Sequence, residues 1–211
     1  MSMENINVDR LLEPFPHLII KNFYNSNELE LIWEELKFYT KSGKLLTAED
    51  FGGVVGSTNS HALALDEVYG TKFRILSNIL TVNRKLFDDE ILEAFSNTHD
   101  CCGIARNSNY DITKVRYYHD EEYYDPHTDS PFHFLAFSYF YKEPKKFTGG
   151  EVYFPDYDYE YACDNNSMII LPGWVKHGVK KVSIRNSDYY EGHGRYCISS
   201  FFGCNDSKSK S

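Results

Sequence analysis

The sequence predicts an α+β, mainly β fold, a sandwich or jelly roll with N-terminal helices packed on one sheet. Two sequence patterns support this prediction. Helical spacing of apolar residues dominates about residues 1–100, whereas short β-rich runs separated by turn residues follow from Asp111 to about residue 203. Because no internal repeat and no long linker interrupts residues 1–211, we expect one domain, with a disordered tail at 206–211.

The helical part is predicted from caps and periodicity. A strand at 17–23 precedes a helix from Asn25 to Tyr39, where Asn25 and Glu28 form a capping box. One face of that helix carries an apolar stripe, made of Leu29, Ile32, Trp33 and Leu36. The pattern predicts loops and short strands at 41–70, a helix with a break near 88–89 at 71–97, and a loop or turn at 101–110.

The β-rich part is predicted as six runs with Gly, Pro and Asn between them. The runs are 112–118, 133–141, 151–154, 167–171, 175–184 and 195–202. Gly149-Gly150 predicts a turn that needs φ freedom.

Composition and charge narrow the class of protein. The chain has 211 residues, is 42% hydrophobic and carries a formal net charge of −9, which argues against non-specific binding of nucleic acid. The five cysteines are irregularly spaced, which favours reduced thiols in a cytosol over a disulfide framework. With neither a signal-peptide pattern nor an apolar run of membrane-spanning length, we expect a cytoplasmic protein without membrane contact.

A metal site is predicted from His127 and Asp129, which are two residues apart in a segment of strand character. Alternate side chains of a strand point to the same face, so an imidazole and a carboxylate converge there. A third ligand, His177, follows a turn at Pro172-Gly173. Two histidines and one carboxylate hold non-haem Fe(II) with open positions, unlike closed thiolate zinc sites. His119 and His133 are competing ligands, although the Ser130-Pro131 turn argues against His133.

An anion site is predicted from Arg195, which begins an otherwise apolar strand. A buried guanidinium is costly unless it is paired, and it can bind a carboxylate through two parallel hydrogen bonds. The functional interpretation is a pocket for the distal carboxylate of a keto acid. The structural alternative is a salt bridge to one of the 31 acidic side chains.

Four segments together resemble the 2-oxoglutarate/Fe(II)-dependent dioxygenases, in particular the prolyl 4-hydroxylase-like group. They are YHDEEYYDPHTD (118–129), FTGGEVYFP (147–155), LPGWVKHGV (171–179) and RYCISSFFG (195–203). The resemblance implies a double-stranded β-helix (jelly roll) and an enzyme that couples decarboxylation of 2-oxoglutarate to C–H hydroxylation. It implies Fe(II), 2-oxoglutarate and O₂, with ascorbate as a candidate reductant.

Carried over by position, the resemblance makes His127, Asp129 and His177 the iron ligands and gives Arg195 and Tyr118 to 2-oxoglutarate. Arg185 is an alternative anchor, because the basic residue of the family usually lies nearer the second histidine. Tyr124 matches an aromatic residue beside the metal strand, and Trp174 is expected to pack in the core or shield the site.

The substrate expected from the resemblance is a prolyl residue of a peptide or protein. A free amino acid or other small metabolite is the alternative substrate, and a non-catalytic metal-binding jelly-roll module is the alternative function. The presence of Asp129 favours hydroxylation, because related halogenases carry a small residue at that position.

Overall fold

The chain folds into two facing antiparallel β-sheets, with helices on the outer side of the larger sheet. The computed structural model describes residues 7–51, 57–185 and 188–205. Its strands are β1 (Asn7–Leu11), β2 (His17–Lys21), β3 (Thr58–Asn59), β4 (His61–Ala64), β5 (Tyr110–Tyr118), β6 (Tyr123–His127), β7 (Phe134–Phe140), β8 (Phe147–Gly149), β9 (Val152–Phe154), β10 (Tyr159–Tyr161), β11 (Ser167–Pro172), β12 (His177–Val179), β13 (Val182–Ile184) and β14 (Arg195–Gly203).

Each sheet combines strands from early and late parts of the chain. The larger sheet has the order β1-β2-β11-β7-β14-β5-β4, and the smaller sheet has the order β10-β9-β12-β6-β3. A two-stranded ribbon, β13-β8, continues beside them. The α-helices are α1 (Ser26–Lys41), α2 (Leu65–Tyr69), α3 (Asn78–Val82) and α4 (Asp89–Ser96), and 3₁₀ turns lie at Arg74–Leu76, Asn83–Phe87, Asp100–Asn107 and Tyr189–Glu191.

Helix α1 confirms the predicted capping box and apolar stripe. The Asn25 side chain accepts a hydrogen bond from the Glu28 N–H at 3.0 Å, and the Glu28 carboxylate accepts one from the Asn25 N–H at 2.9 Å. Ile32 and Leu36 are fully buried against the larger sheet. The reciprocal cap satisfies two backbone donors that helix geometry leaves free.

The segment 71–97 was predicted as one helix with a break near 88–89, and only the break is confirmed. Ser77 is extended (ψ 124°) and caps α3 through a hydrogen bond to the Leu80 N–H, while Asp88 is extended (ψ 139°) before α4. Because both positions interrupt the helical hydrogen-bond ladder, short turns replace a long helix. Residues 101–110, predicted as a loop or turn, contain most of a 3₁₀ helix at Asp100–Asn107, and Tyr110 begins β5.

The predicted strands are present within a few residues of their expected bounds, except that 175–184 contains two strands. Strand β12 pairs with β6 and β9 in the smaller sheet, whereas β13 pairs with β8. Lys180 and Lys181 separate them, and both side chains form ion pairs with surface glutamates. The predicted disordered tail at 206–211 lies outside the described residues.

Alternate residues of β14 belong to two different cores. Tyr196 and Ile198 pack against the helices, whereas Cys197 and Phe201 point between the two sheets. Both sets are buried, so β14 is the central element that joins the layers. Within the described residues, none of the helices is sufficiently long and apolar to cross a membrane.

Candidate metal centre and anion pocket

The three predicted metal ligands meet where strands β6 and β12 lie side by side. His127 ends β6 and His177 begins β12, and the antiparallel register places them directly opposite one another. The pairing is irregular just after this point, where Pro126 interrupts β6 and cannot donate a ladder hydrogen bond. Asp129 lies beyond the end of β6, and its backbone N–H donates to the Gly173 carbonyl at 3.0 Å.

The ligand atoms converge on one point. The Nε2 atoms of His127 and His177 lie 3.8 Å and 3.5 Å from Asp129 Oδ2. One donor atom from each of the three residues lies within 4.8 Å of the others, which is a spacing that a single metal ion can bridge. The structure therefore brings together the pair predicted from residues 127–129 and the distant histidine.

Both imidazoles are oriented by the backbone. His127 Nδ1 lies 3.0 Å from the Asp125 carbonyl, and His177 Nδ1 lies 3.0 Å from the Val175 carbonyl. A carbonyl only accepts, so each Nδ1 carries the proton and each Nε2 presents its lone pair to the cluster. Fixing the second ring nitrogen in this way is typical of metal-binding histidines.

Burial keeps both imidazoles neutral, which is the protonation state in which they can bind a cation. Burial, and next the neighbouring His127, lowers the pKa of His177 to about 3, and burial also lowers the pKa of His127. Both rings are therefore neutral ligands at pH 7. Burial raises the pKa of Asp129, and its Oδ2 is buried without a hydrogen-bond partner among the described residues. A metal ion would supply the missing partner for this oxygen.

The guanidinium of Arg195 lies in the same cavity and is 2% exposed. Its Cζ lies 4.9 Å from the ring centres of Tyr118 and Tyr139, and Nη2 donates to Cys163 Sγ at 3.5 Å. Among the described residues, Nε and Nη1 have no hydrogen-bond partner and no carboxylate forms an ion pair with the group. The predicted structural alternative, a salt bridge, is therefore not found in this part of the chain.

The other candidates of the sequence lie elsewhere or serve other contacts. Arg185 is exposed and does not line the cavity. Neither His119 nor His133 belongs to the cluster, and His133 Nδ1 lies 2.9 Å from Ser108 Oγ. Trp174 is 47% exposed and is not a cavity residue, so the expectation that it packs in the core is wrong.

Aromatic and glycine residues hold the site in place. Tyr124 stacks on His127 with ring centres 4.0 Å apart, and Tyr118 lies directly opposite Arg195 in the β5–β14 ladder. Gly150 has a positive φ of 77°, and a Cβ there would approach Arg195 Cδ to 2.8 Å. The glycine thus gives the buried arginine its space.

Several cavity residues were not predicted from the sequence. Tyr139 and Phe137 lay in a run interpreted only as core strand, and Lys114 and Arg116 were not singled out at all. The cavity is lined by Lys114, Arg116, Tyr118, Tyr124, His127, Asp129, Phe137, Tyr139, Val152, His177, Val179, Arg195, Cys197, Ser199 and Phe201. The signal that could have identified them is the period-2 spacing of Lys114, Arg116 and Tyr118. This spacing predicts three polar side chains on one face of β5.

Comparisons with known proteins give a structural match without a sequence match. A scan against protein-family models and a search of curated proteins each find no match. Among solved structures, a prolyl-4-hydroxylase from Pseudomonas putida superposes with a TM-score of 0.60 at 13% identity, covering 90% of this chain and 92% of that chain.

Two further structures support the same architecture. A 2OG-Fe(II) oxygenase-family oxidoreductase from Burkholderia pseudomallei has a TM-score of 0.58 at 15% identity, covering 89% of this chain and 84% of that chain. The α-ketoglutarate-dependent epimerase SnoN of nogalamycin biosynthesis has a TM-score of 0.55 at 11% identity, covering 89% and 77%. The chain therefore has the double-stranded β-helix fold of these oxygenases, prolyl 4-hydroxylases among them, which confirms at the level of fold the resemblance seen in the sequence.

Proposed function

We propose that this protein is an Fe(II)- and 2-oxoglutarate-dependent oxygenase. The observation that carries the proposal is the presence, in one cavity, of a His₂-carboxylate cluster and a buried arginine that lacks a carboxylate partner among the described residues. The first suits a divalent metal with open positions, and the second suits a dicarboxylate that reaches the metal from the interior.

The metal would be held by His127, Asp129 and His177. Two neutral imidazoles and one carboxylate match the donor set of non-haem Fe(II) sites, and the cluster contains no thiolate that would favour structural zinc. Bound Fe(II) would supply the activation of O₂ coupled to oxidative decarboxylation of 2-oxoglutarate, with ascorbate as a candidate reductant. The chain's own part is to orient both Nε2 atoms and keep the rings neutral.

The distal carboxylate of 2-oxoglutarate would bind Arg195. Among the described residues, Nη1 has no partner and Nη2 donates only one of its two hydrogens, to Cys163 Sγ, so these two nitrogens offer parallel N–H donors. The phenol ring of Tyr118 covers the guanidinium at 4.9 Å. Burial raises the pKa of Tyr118 to about 12, so this hydroxyl stays protonated and can donate. Tyr139, whose buried hydroxyl has no partner among the described residues, is a further donor at the same end of the cavity.

Anaerobic titration with Fe(II) and 2-oxoglutarate tests the proposal. A keto acid that chelates Fe(II) gives a weak visible charge-transfer band, and a purely metal-binding jelly-roll module gives none. We expect the band with the wild type and with Asp156→Ala, in which an exposed turn carboxylate is removed. We expect no band with Asp129→Ala, and a band of wild-type strength in that variant would refute the assignment.

The reaction is proposed to be C–H hydroxylation, with a prolyl residue of a peptide or protein as the leading substrate. The intact Asp129 and the similarity in fold to prolyl-4-hydroxylases support this choice. A free amino acid or small metabolite is the second candidate, and the epimerase with the same fold illustrates that the fold accommodates other outcomes. Mass spectrometry of proline-containing peptides after incubation should show the gain of one oxygen atom on proline, together with succinate.

A further inference from the structure

Two further cations, Lys114 and Arg116, line the cavity from strand β5, which pairs with the strand that carries Arg195. Lys114 and Arg116 alternate on β5, so both side chains point to the same face as Tyr118. Both residues are half-buried. Both side chains line the same cavity as His127, Asp129 and His177.

The contacts of these two cations are aromatic rather than ionic. Lys114 Nζ lies 5.4 Å and 5.1 Å from the ring centres of Phe51 and Phe201. Arg116 Cζ lies 4.7 Å from the ring centre of Tyr124, the residue that stacks on His127. The rings hold the cations in position without neutralising them.

Neither cation forms an ion pair within the described part of the chain; the one hydrogen bond from Arg116 goes to Ser60 Oγ at 3.4 Å. A nearby arginine shows the contrast. Arg74 donates to carboxylates of both Asp66 and Asp111, the latter at 2.7 Å. Within the residues that the structure describes, Arg74 is therefore paired with two carboxylates, whereas the two cavity cations of β5 form no ion pair.

The charge of the filled cavity leaves these cations uncompensated. The charged lining residues are Lys114, Arg116 and Arg195 against the single carboxylate of Asp129. Fe(II) and the 2-oxoglutarate dianion cancel one another, and Asp129 offsets only one cation. A net charge of two positive units therefore remains beside the metal site, and it attracts an anionic substrate.

We propose that the substrate carries a carboxylate and that Lys114 and Arg116 bind it. The inference rests on the proposed function and specifies its substrate class: an amino or organic acid, or a peptide with an acidic residue next to the target. The carboxylate would anchor on β5, and the reacting carbon would lie toward His127. Arg116, packed on Tyr124, would fix the orientation through paired N–H donors.

The test measures binding to the enzyme loaded anaerobically with Fe(II) and saturating 2-oxoglutarate. Under these conditions Arg195 is occupied, so a second carboxylate reports on the β5 cations. Calorimetry would compare L-amino acids with their carboxamides, and acetyl-Pro-Glu-amide with acetyl-Pro-Gln-amide. We expect at least one carboxylate to bind roughly tenfold more tightly than its amide, and the two sets distinguish a small acid from an acidic peptide.

Substitutions test whether Lys114 and Arg116 cause the preference for a carboxylate over its amide. The double variant Lys114→Met/Arg116→Gln should lose it, and Arg116→Lys should keep part of it. Lys72→Met is the matched control, because Lys72 is an exposed lysine over Phe73 that lies outside the cavity. The proposal is overturned if no carboxylate binds better than its amide, or if the double variant retains the preference. Absence of the charge-transfer band in the wild type would instead remove the proposed function itself.

Discussion

Replacement of Arg195 by Met should change stability and co-substrate affinity in opposite directions. The guanidinium is 2% exposed and forms no ion pair among the described residues, so the free protein holds a largely uncompensated buried charge. Replacing such a charge by an apolar side chain of similar length removes its desolvation cost. Buried charges exchanged for apolar residues have given gains of about 1–4 kcal/mol in stability, and we expect a gain at the lower end of that range.

The loss of affinity follows from the hydrogen bonds that the guanidinium can donate to a carboxylate. Among the described residues, Nη1 of Arg195 has no partner and Nη2 donates only one of its two hydrogens, to Cys163 Sγ, so these two nitrogens offer parallel N–H donors. Each hydrogen bond to a charged group contributes about 1.5–3 kcal/mol. Two such bonds to the distal carboxylate amount to about 3–6 kcal/mol, which is roughly a 100-fold to 10,000-fold loss of 2-oxoglutarate affinity. Calorimetric titration of 2-oxoglutarate and urea denaturation of the metal-free protein measure the two effects separately.

Arg185→Met is the matched control, because it removes the same group from an exposed position. It should leave both quantities unchanged. A fall of about 3–5 kcal/mol in the stability of Arg195→Met would show that the guanidinium belongs to a buried structural pair. Loss of 2-oxoglutarate binding in Arg185→Met alone would move the anchor to that residue, and either result would refute the reasoning.

Three further predictions concern positions around the site and in the core. Gly150→Ala should weaken 2-oxoglutarate binding and lower the melting temperature, because φ is 77° and the new Cβ would lie 2.8 Å from Arg195 Cδ. Burial lowers the pKa of His17, so as the pH falls the His17 imidazole is protonated in the unfolded chain before it is protonated in the folded protein. The free energy of unfolding should therefore decrease below about pH 6.5, and His17→Leu should reduce this pH dependence in denaturation curves. Glu35→Ala should cost about 2–4 kcal/mol in urea unfolding, because its buried carboxylate accepts from the Ile79 N–H at 2.7 Å and from two hydroxyls.

The metal cluster shows how far local pattern can predict geometry. Strand alternation correctly indicated that His127 and Asp129 converge, although Asp129 lies past the end of β6 and is held by a hydrogen bond from its N–H to Gly173. The contribution of His177 depends on the register of β12 against β6, which is a tertiary pairing. The need for a second histidine in the donor set made His177 a candidate ligand. The local periodicity of the sequence does not specify that β12 pairs with β6.

Two errors of the sequence analysis have different causes, one local and one in the tertiary packing. The apolar spacing of 71–97 fits a helix, but two residues interrupt it. The Ser77 side chain caps α3, and the extended backbone of Asp88 precedes α4. Lys114 and Arg116 were overlooked because charged residues on a strand usually face solvent, and only the packing of the second sheet turns this face inward. Patterning identifies a face of a strand, whereas its surroundings decide whether that face is a surface or a cavity.

Spacing along the chain and burial favour different arginines as the proposed anchor of 2-oxoglutarate. Arg195 follows His177 by 18 residues and Arg185 by eight, so spacing alone favours Arg185. Strand β13 leaves the smaller sheet to pair with β8, and Arg185 ends exposed beyond it. Strand β14 returns between β7 and β5 and places Arg195 opposite Tyr118. Because an arginine at the start of a wholly buried strand is costly unless it binds an anion, burial favours Arg195 over Arg185 as the proposed anchor.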